Sequence, residues 1–138
     1  MPITINGSGT VTGISAGGLP DGVITTDDLA STVPVAKAWV NFNGTGTVAI
    51  RASYNVSSIT DNGTGSYTVN FTTAMVDANY SANVSIAGVP ATSDACMVTT
   101  DMNNASRANP TTTTFTFTAY RLSGPAIDTE FVRVSVFR

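Results

Sequence analysis

From residue 35 onward the chain alternates apolar and polar side chains with a period of two, and that rhythm limits its folds more than any other feature. Ala36, Ala38, Val40 and Phe42 fall on one side, with Lys37, Trp39 and Asn41 on the other. Tyr67, Val69 and Phe71 alternate in the same way with Thr68, Asn70 and Thr72. Successive side chains of a strand point to opposite faces, so this pattern describes strands with one face buried. Composition agrees. Thr, Ser and Asn supply 47 of 138 residues, 23 of them Thr. Thr is β-branched and suits a pleated surface. Lys and Glu, the usual residues of helix surfaces, occur once each, as Lys37 and Glu130. The chain is expected to be all-β.

Turn chemistry divides the pattern into about seven strands. Asn43-Gly44-Thr45-Gly46 forms one turn, and a single long strand is expected over 47–60. Asp61-Asn62-Gly63-Thr64-Gly65 is the strongest hairpin signal, because Asn-Gly reaches positive φ at little cost. Strands are expected at 66–72 and 80–86, then a weaker one at 96–100. A polar loop covers 101–111, a long strand 112–122 and a closing strand 130–137. The closing strand carries Val132, Val134 and Val136 on one face and Phe131, Arg133 and Phe137 on the other. Apolar character on both faces suits a central strand or one that meets a neighbouring subunit. Strands at this spacing predict an antiparallel β-sandwich.

Residues 1–34 read differently. They hold six of the twelve Gly residues, no aromatic residue and only nine larger apolar side chains after Met1. So few apolar groups do not offset the entropy of ordering some thirty residues, so this arm is expected to order only against other copies or another surface. Thr26 is placed to cap a short helical turn led by Asp27 and Asp28. The expected organisation is an extended arm over 1–34 followed by a sandwich head over 35–138.

Several functions are disfavoured by what the chain lacks. Without His there is no imidazole base or ligand, and with Cys96 alone there is no intrachain disulfide or thiolate cluster. Charged residues make up 11% of the chain and the net charge is −3, which does not suit phosphate neutralisation on nucleic acid. No apolar run approaches the ~20 residues of a membrane helix, and no signal peptide pattern opens the chain. The expectation is a soluble, cytosolically made protein that uses no cofactor, metal, nucleic acid or membrane.

The remaining motifs have plain structural readings. Asn-x-Ser/Thr triplets such as those at Asn43, Asn62 and Asn70 fit turns and wet sheet faces. Gly7 to Gly13 lacks the spacing and the Lys of a phosphate loop. Glu130 is the one Glu, and Asp21, Asp61, Asp77, Asp94, Asp101 and Asp128 sit mostly in turns, which does not suit a hydrolytic pair. Trp39, Tyr54, Tyr67, Tyr80 and Tyr120 have the chemistry to stack on sugars, but core or interface packing is the expectation for each. Cys96 reads as a small apolar strand residue.

Two stretches are more specific. Gly18-Leu19-Pro20-Asp21-Gly22-Val23-Ile24-Thr25-Thr26-Asp27-Asp28-Leu29-Ala30 resembles a phrase in tail-fibre and related virion proteins of tailed bacteriophages. The run from Ala36 to Tyr80 resembles the β-rich terminal domain of such fibres. The resemblance implies a homotrimer, no enzymatic activity and a place on the virion surface after synthesis in the host cytoplasm. Met1 begins almost directly with the arm, so the arm is the expected anchor on the major capsid protein or on tail proteins. Ile3, Ile5, Val11, Ile14 and Leu19 are its expected docking contacts. This favours a short projection, either capsid decoration (cement or head fibre) or a tail spike. The alternative is a receptor-binding tip whose loops 101–111 and 123–129 bind host surface polysaccharide.

Overall fold

A computed structural model describes residues 34–87, 96–99, 109–122 and 124–138. The arm, its helical turn and the docking residues Ile3, Ile5, Val11, Ile14 and Leu19 lie outside the described residues. The unit Pro34–Arg138 is all-β. Its strands are β1 Ala36–Asn43, β2 Ala49–Tyr54, β3 Val56–Asp61, β4 Ser66–Phe71, β5 Ser81–Ala87, β6 Cys96–Thr99, β7 Thr114–Arg121 and β8 Phe131–Phe137. They form two four-stranded sheets, ordered β2-β1-β8-β5 and β3-β4-β7-β6. Every pairing is antiparallel.

There are eight strands where the sequence suggested about seven. The stretch expected as one strand over 47–60 is two strands that belong to different sheets. The break is Asn55, at φ 54°. Asn tolerates this left-handed conformation because its short amide bonds locally. Asn55 Nδ2 donates to the carbonyls of Lys37 (3.0 Å) and Thr73 (3.1 Å), and Thr73 N donates to Asn55 Oδ1 (2.7 Å). The amide thus pins the corner to both sheets while the chain passes from β2 to β3.

Alternation places the core as expected. Ala38, Val40 and Phe42 of β1 and Val132, Val134 and Val136 of β8 face inward from the first sheet. Tyr67, Val69 and Phe71 of β4 meet them with Phe115 and Phe117 of β7. β8 lies between β1 and β5, a central position, which is one of the two settings its composition suited. Aromatic rings form a run through this layer. Phe42 meets Tyr67 edge-on at 5.2 Å, Tyr67 lies 5.8 Å from Phe117, and Phe117 stacks on Phe115 at 5.9 Å. Tyr80 extends the run between Phe115 and Phe71. Such offset and edge contacts align the ring quadrupoles favourably.

One end of the sandwich is closed by polar contacts around Tyr67, which is fully buried. Its hydroxyl lies 2.8 Å from the Gly44 carbonyl and 3.0 Å from Asp128 Oδ1, with one proton to share between them. The same carboxylate oxygen accepts from Gly65 N at 2.6 Å. Gly44 N donates to Thr129 O, Ala119 N to Gly65 O, and Ile127 N to Ala119 O. The turns β1–β2 and β3–β4 and the β7–β8 connection therefore meet at one point. Burial, reinforced by the Asp128 carboxylate, holds the Tyr67 hydroxyl well above the usual phenol range.

Gly65 is required there for two reasons. It has φ +71°, and a Cβ would sit 2.6 Å from the Ala119 carbonyl oxygen and 2.7 Å from Ile127 N. Gly46 has a similar φ of +62° with open space around it. Gly46→Ala should cost about 1 kcal/mol, the left-handed penalty alone. Gly65→Ala should cost about 1–3 kcal/mol more, because backbone must move. Urea unfolding of both variants checks the difference; equal losses would show that the corner yields freely.

Tyr80 donates its hydroxyl to the Thr114 carbonyl at 2.9 Å, and burial pushes its pKa from 10.0 up to about 12. The folded state thus favours the neutral phenol. Its contribution to stability is complete below pH 10 and is lost as pH rises toward 12. Unfolding midpoints should fall across that window, and Tyr80→Phe should shallow the slope while costing about 1 kcal/mol for the lost hydrogen bond, since Thr111 N still donates to the Thr114 carbonyl.

Candidate functional site

The two sheets present outer faces of different chemistry. On the second sheet, Ser66, Thr68 and Asn70 of β4 stand opposite Thr118, Thr116 and Thr114 of β7. These groups largely satisfy one another. Thr68 Oγ1 and Thr116 Oγ1 are 2.8 Å apart, and Asn62 Nδ2 donates to Thr68 Oγ1 at 2.9 Å. Asn70 Nδ2 reaches Ser58 Oγ at 3.0 Å and Thr60 Oγ1 at 2.9 Å. Among the described residues this face carries no charge and is largely self-bonded, Thr99 Oγ1 being covered and without a partner there.

The first sheet turns aromatic and cationic side chains outward. Trp39 of β1 and Tyr54 of β2 are directly opposed across the ladder and are 40% and 50% exposed. Core packing was one expectation for both, and it does not hold: the register that buries Ala38 and Val40 turns Trp39 out. Tyr67 is in the core as expected, and Tyr80 is packed against it. The Trp39 row continues to Ser135 of β8 and then Asn83 of β5. In the next row Ala52, Asn41, Arg133 and Ser85 stand side by side.

Charge on this face is unevenly compensated. The Arg51 guanidinium lies 4.5 Å over the Phe131 ring. It donates to the carbonyls of Phe42 (3.0 Å) and Glu130 (2.7 Å) and pairs with the Glu130 carboxylate at 3.8 Å. Arg133 approaches the same ring at 5.5 Å. Among the described residues the ion pairs are Arg51–Glu130 and Arg138–Asp77, so Arg133 has no carboxylate partner. With Lys37 exposed beside Trp39, three cations stand against one anion, a local balance of +2. Asn41 Oδ1, between these groups, is covered and has no hydrogen-bond partner among the described residues.

The described carboxylates hold the fold. Asp61 Oδ1 accepts from Gly63 N at 2.9 Å, and Asp77 Oδ1 from Asn79 N at 2.7 Å. Arg138 Nε also donates to Asp77 at 3.0 Å, and this guanidinium holds the Asp77 carboxyl below its ordinary range. Asp128 closes the Tyr67 corner. Asp21, Asp94 and Asp101 lie outside the described residues, as does the Gly7–Gly13 run. Among the described residues no three of His, Cys, Asp or Glu are grouped to hold a metal ion. Cys96 is half-buried on β6, at the edge of the second sheet. Of the loops 101–111 and 123–129, the first lies mainly outside the described residues. In the second, Ile127 and Thr129 are buried and committed to the corner.

The sequence reading put Lys37, Trp39 and Asn41 on one face, and Phe131, Arg133 and Phe137 on another, without joining them. The β1–β8 pairing makes them one surface. No family model, curated protein or solved structure matches the chain.

Trp39 is the one tryptophan, so it reports on this face directly. Its fluorescence should be quenched more by iodide than by caesium, because the local positive potential gathers anions. Arg133→Gln should narrow that difference; equal quenching in the parent protein would contradict a cationic face.

Proposed function

We propose that this chain is a non-enzymatic structural protein on the surface of a tailed bacteriophage virion. Three copies associate, the arm of residues 1–34 docks on the capsid or tail, and the head of 35–138 projects outward. The virion reading rests on the resemblance carried by Gly18–Ala30 and Ala36–Tyr80. The observation that carries the non-enzymatic reading is where the acids go. Asp61, Asp77, Asp128 and Glu130 each hold a turn, a corner or an arginine. A face without charge on one sheet and a self-contained two-sheet core suit a projecting head.

A second reading, a head that grips host surface polysaccharide, is favoured by the outward Trp39–Tyr54 pair. It transfers the contact from the loops to a sheet face.

The full chain should run in light scattering at three times the monomer mass of 14.2 kDa. Deleting residues 1–30 should leave a soluble, folded head that no longer joins particles in an incorporation assay. A truncated protein that incorporates normally would refute docking through the arm.

A further inference from the structure

We propose that the outer face of the first sheet binds an acidic saccharide, with the sugar ring on Trp39 and Tyr54 and its carboxylate on Arg133. The inference rests on the second, polysaccharide-gripping reading and specifies its ligand class and its residues.

Geometry supplies the first argument. Tyr54, Trp39, Ser135 and Asn83 are successive partners across β2, β1, β8 and β5. Three strand spacings make this row about 14 Å long, enough for a short oligosaccharide. The C–H face of a pyranose is apolar and carries slightly positive hydrogens, which complement the negative face of an aromatic ring. The hydroxyls of a sugar lying on Trp39 would then point sideways to Ser135 and Asn83.

Electrostatics supplies the second. Arg51 is fully engaged by Glu130, two backbone carbonyls and the Phe131 ring. Arg133 has only the edge of that arrangement, at 5.5 Å from the ring. Its guanidinium fork matches a carboxylate, and one from a ligand would complete it. Asn41 stands beside Arg133 in the ladder with an unpaired, covered Oδ1. Leaving an acceptor so is costly. Rotating the amide outward lets a sugar hydroxyl satisfy it. A second copy related by a two-fold axis fits the face less well, because like faces would bring Arg133 and Lys37 against equal charges.

The test uses the full chain and Trp39 fluorescence, with a uronic acid hexamer as probe and a neutral glucose hexamer as comparison. Inorganic phosphate at matched ionic strength controls for simple anion binding. The uronate should bind saturably at millimolar levels and about tenfold more tightly than the neutral hexamer, a gap of about 1.4 kcal/mol. Arg133→Gln should abolish that preference while leaving weak binding of both sugars. Tyr54→Ala, read by the same fluorescence, should weaken both sugars, and thermal melts establish that each variant is folded. Equal binding of the two hexamers would overturn the acidic ligand class yet leave the polysaccharide reading standing. No change with either sugar would overturn both. Phosphate competing as well as the uronate would reduce the site to non-specific anion attraction and overturn the proposal.

Discussion

The hydroxyl of Tyr67 lies at the point where two turns and the β7–β8 connection come together, alongside the backbone bonds that also join them. It sits near the start of β4, inside the aromatic layer, and its oxygen reaches the β1–β2 turn and the β7–β8 connection. A buried phenol requires a partner, and the neighbouring carbonyl and carboxylate require donors in turn. Asp128 meets this requirement twice over, because it also takes the Gly65 amide. The two glycines follow from the same crowding. A Cβ at Gly44 would lie 2.6 Å from the Tyr67 hydroxyl, and one at Gly65 would run into the backbone of the seventh strand and the segment after it. Close approach of three chain segments and satisfaction of one buried hydroxyl are thus a single condition.

Where Tyr67 closes one end, Asn55 sets the path between sheets. A strand of the length expected over 47–60 would continue in one sheet and leave the other without its edge. The left-handed residue turns the chain, and its amide bonds to the ends of segments from both sheets. β1 to β4 therefore form two hairpins, one in each sheet, stacked over a shared core. This places Tyr54 at the outer end of the first sheet, beside Trp39, rather than within a continuous ribbon.

The two outer faces show how the same folding rule yields different surfaces. On the second sheet, hydroxyls and amides find partners across the ladder and leave little unmet demand. On the first, aromatic rings and guanidinium groups lie side by side, and Arg133 has no acid beside it among the described residues. An exposed aromatic pair, beside a cation with no acidic partner among the described residues, is what sets the first face apart from the second.

Much of this was legible in the amino-acid order, because strand alternation depends only on neighbours two residues apart. The inward sets Ala38–Val40–Phe42, Tyr67–Val69–Phe71 and Val132–Val134–Val136 were readable from local pattern alone, as was the hairpin at Asn62–Gly63. Asn55 was not, since nothing in Tyr54-Asn55-Val56 separates a corner from a polar strand position. Nor was the exposure of Trp39: its place on the same side of the alternation as Lys37 was plain, but a large aromatic is as readily buried against a neighbour as left open. The all-β class, the core faces and the turn chemistry follow from side-chain period and backbone preference, which are local properties. Which strands lie side by side is a matter of long-range packing. That choice depends on contacts between residues some ninety positions apart, such as Asn41 with Arg133, and it alone assembled the aromatic and cationic face.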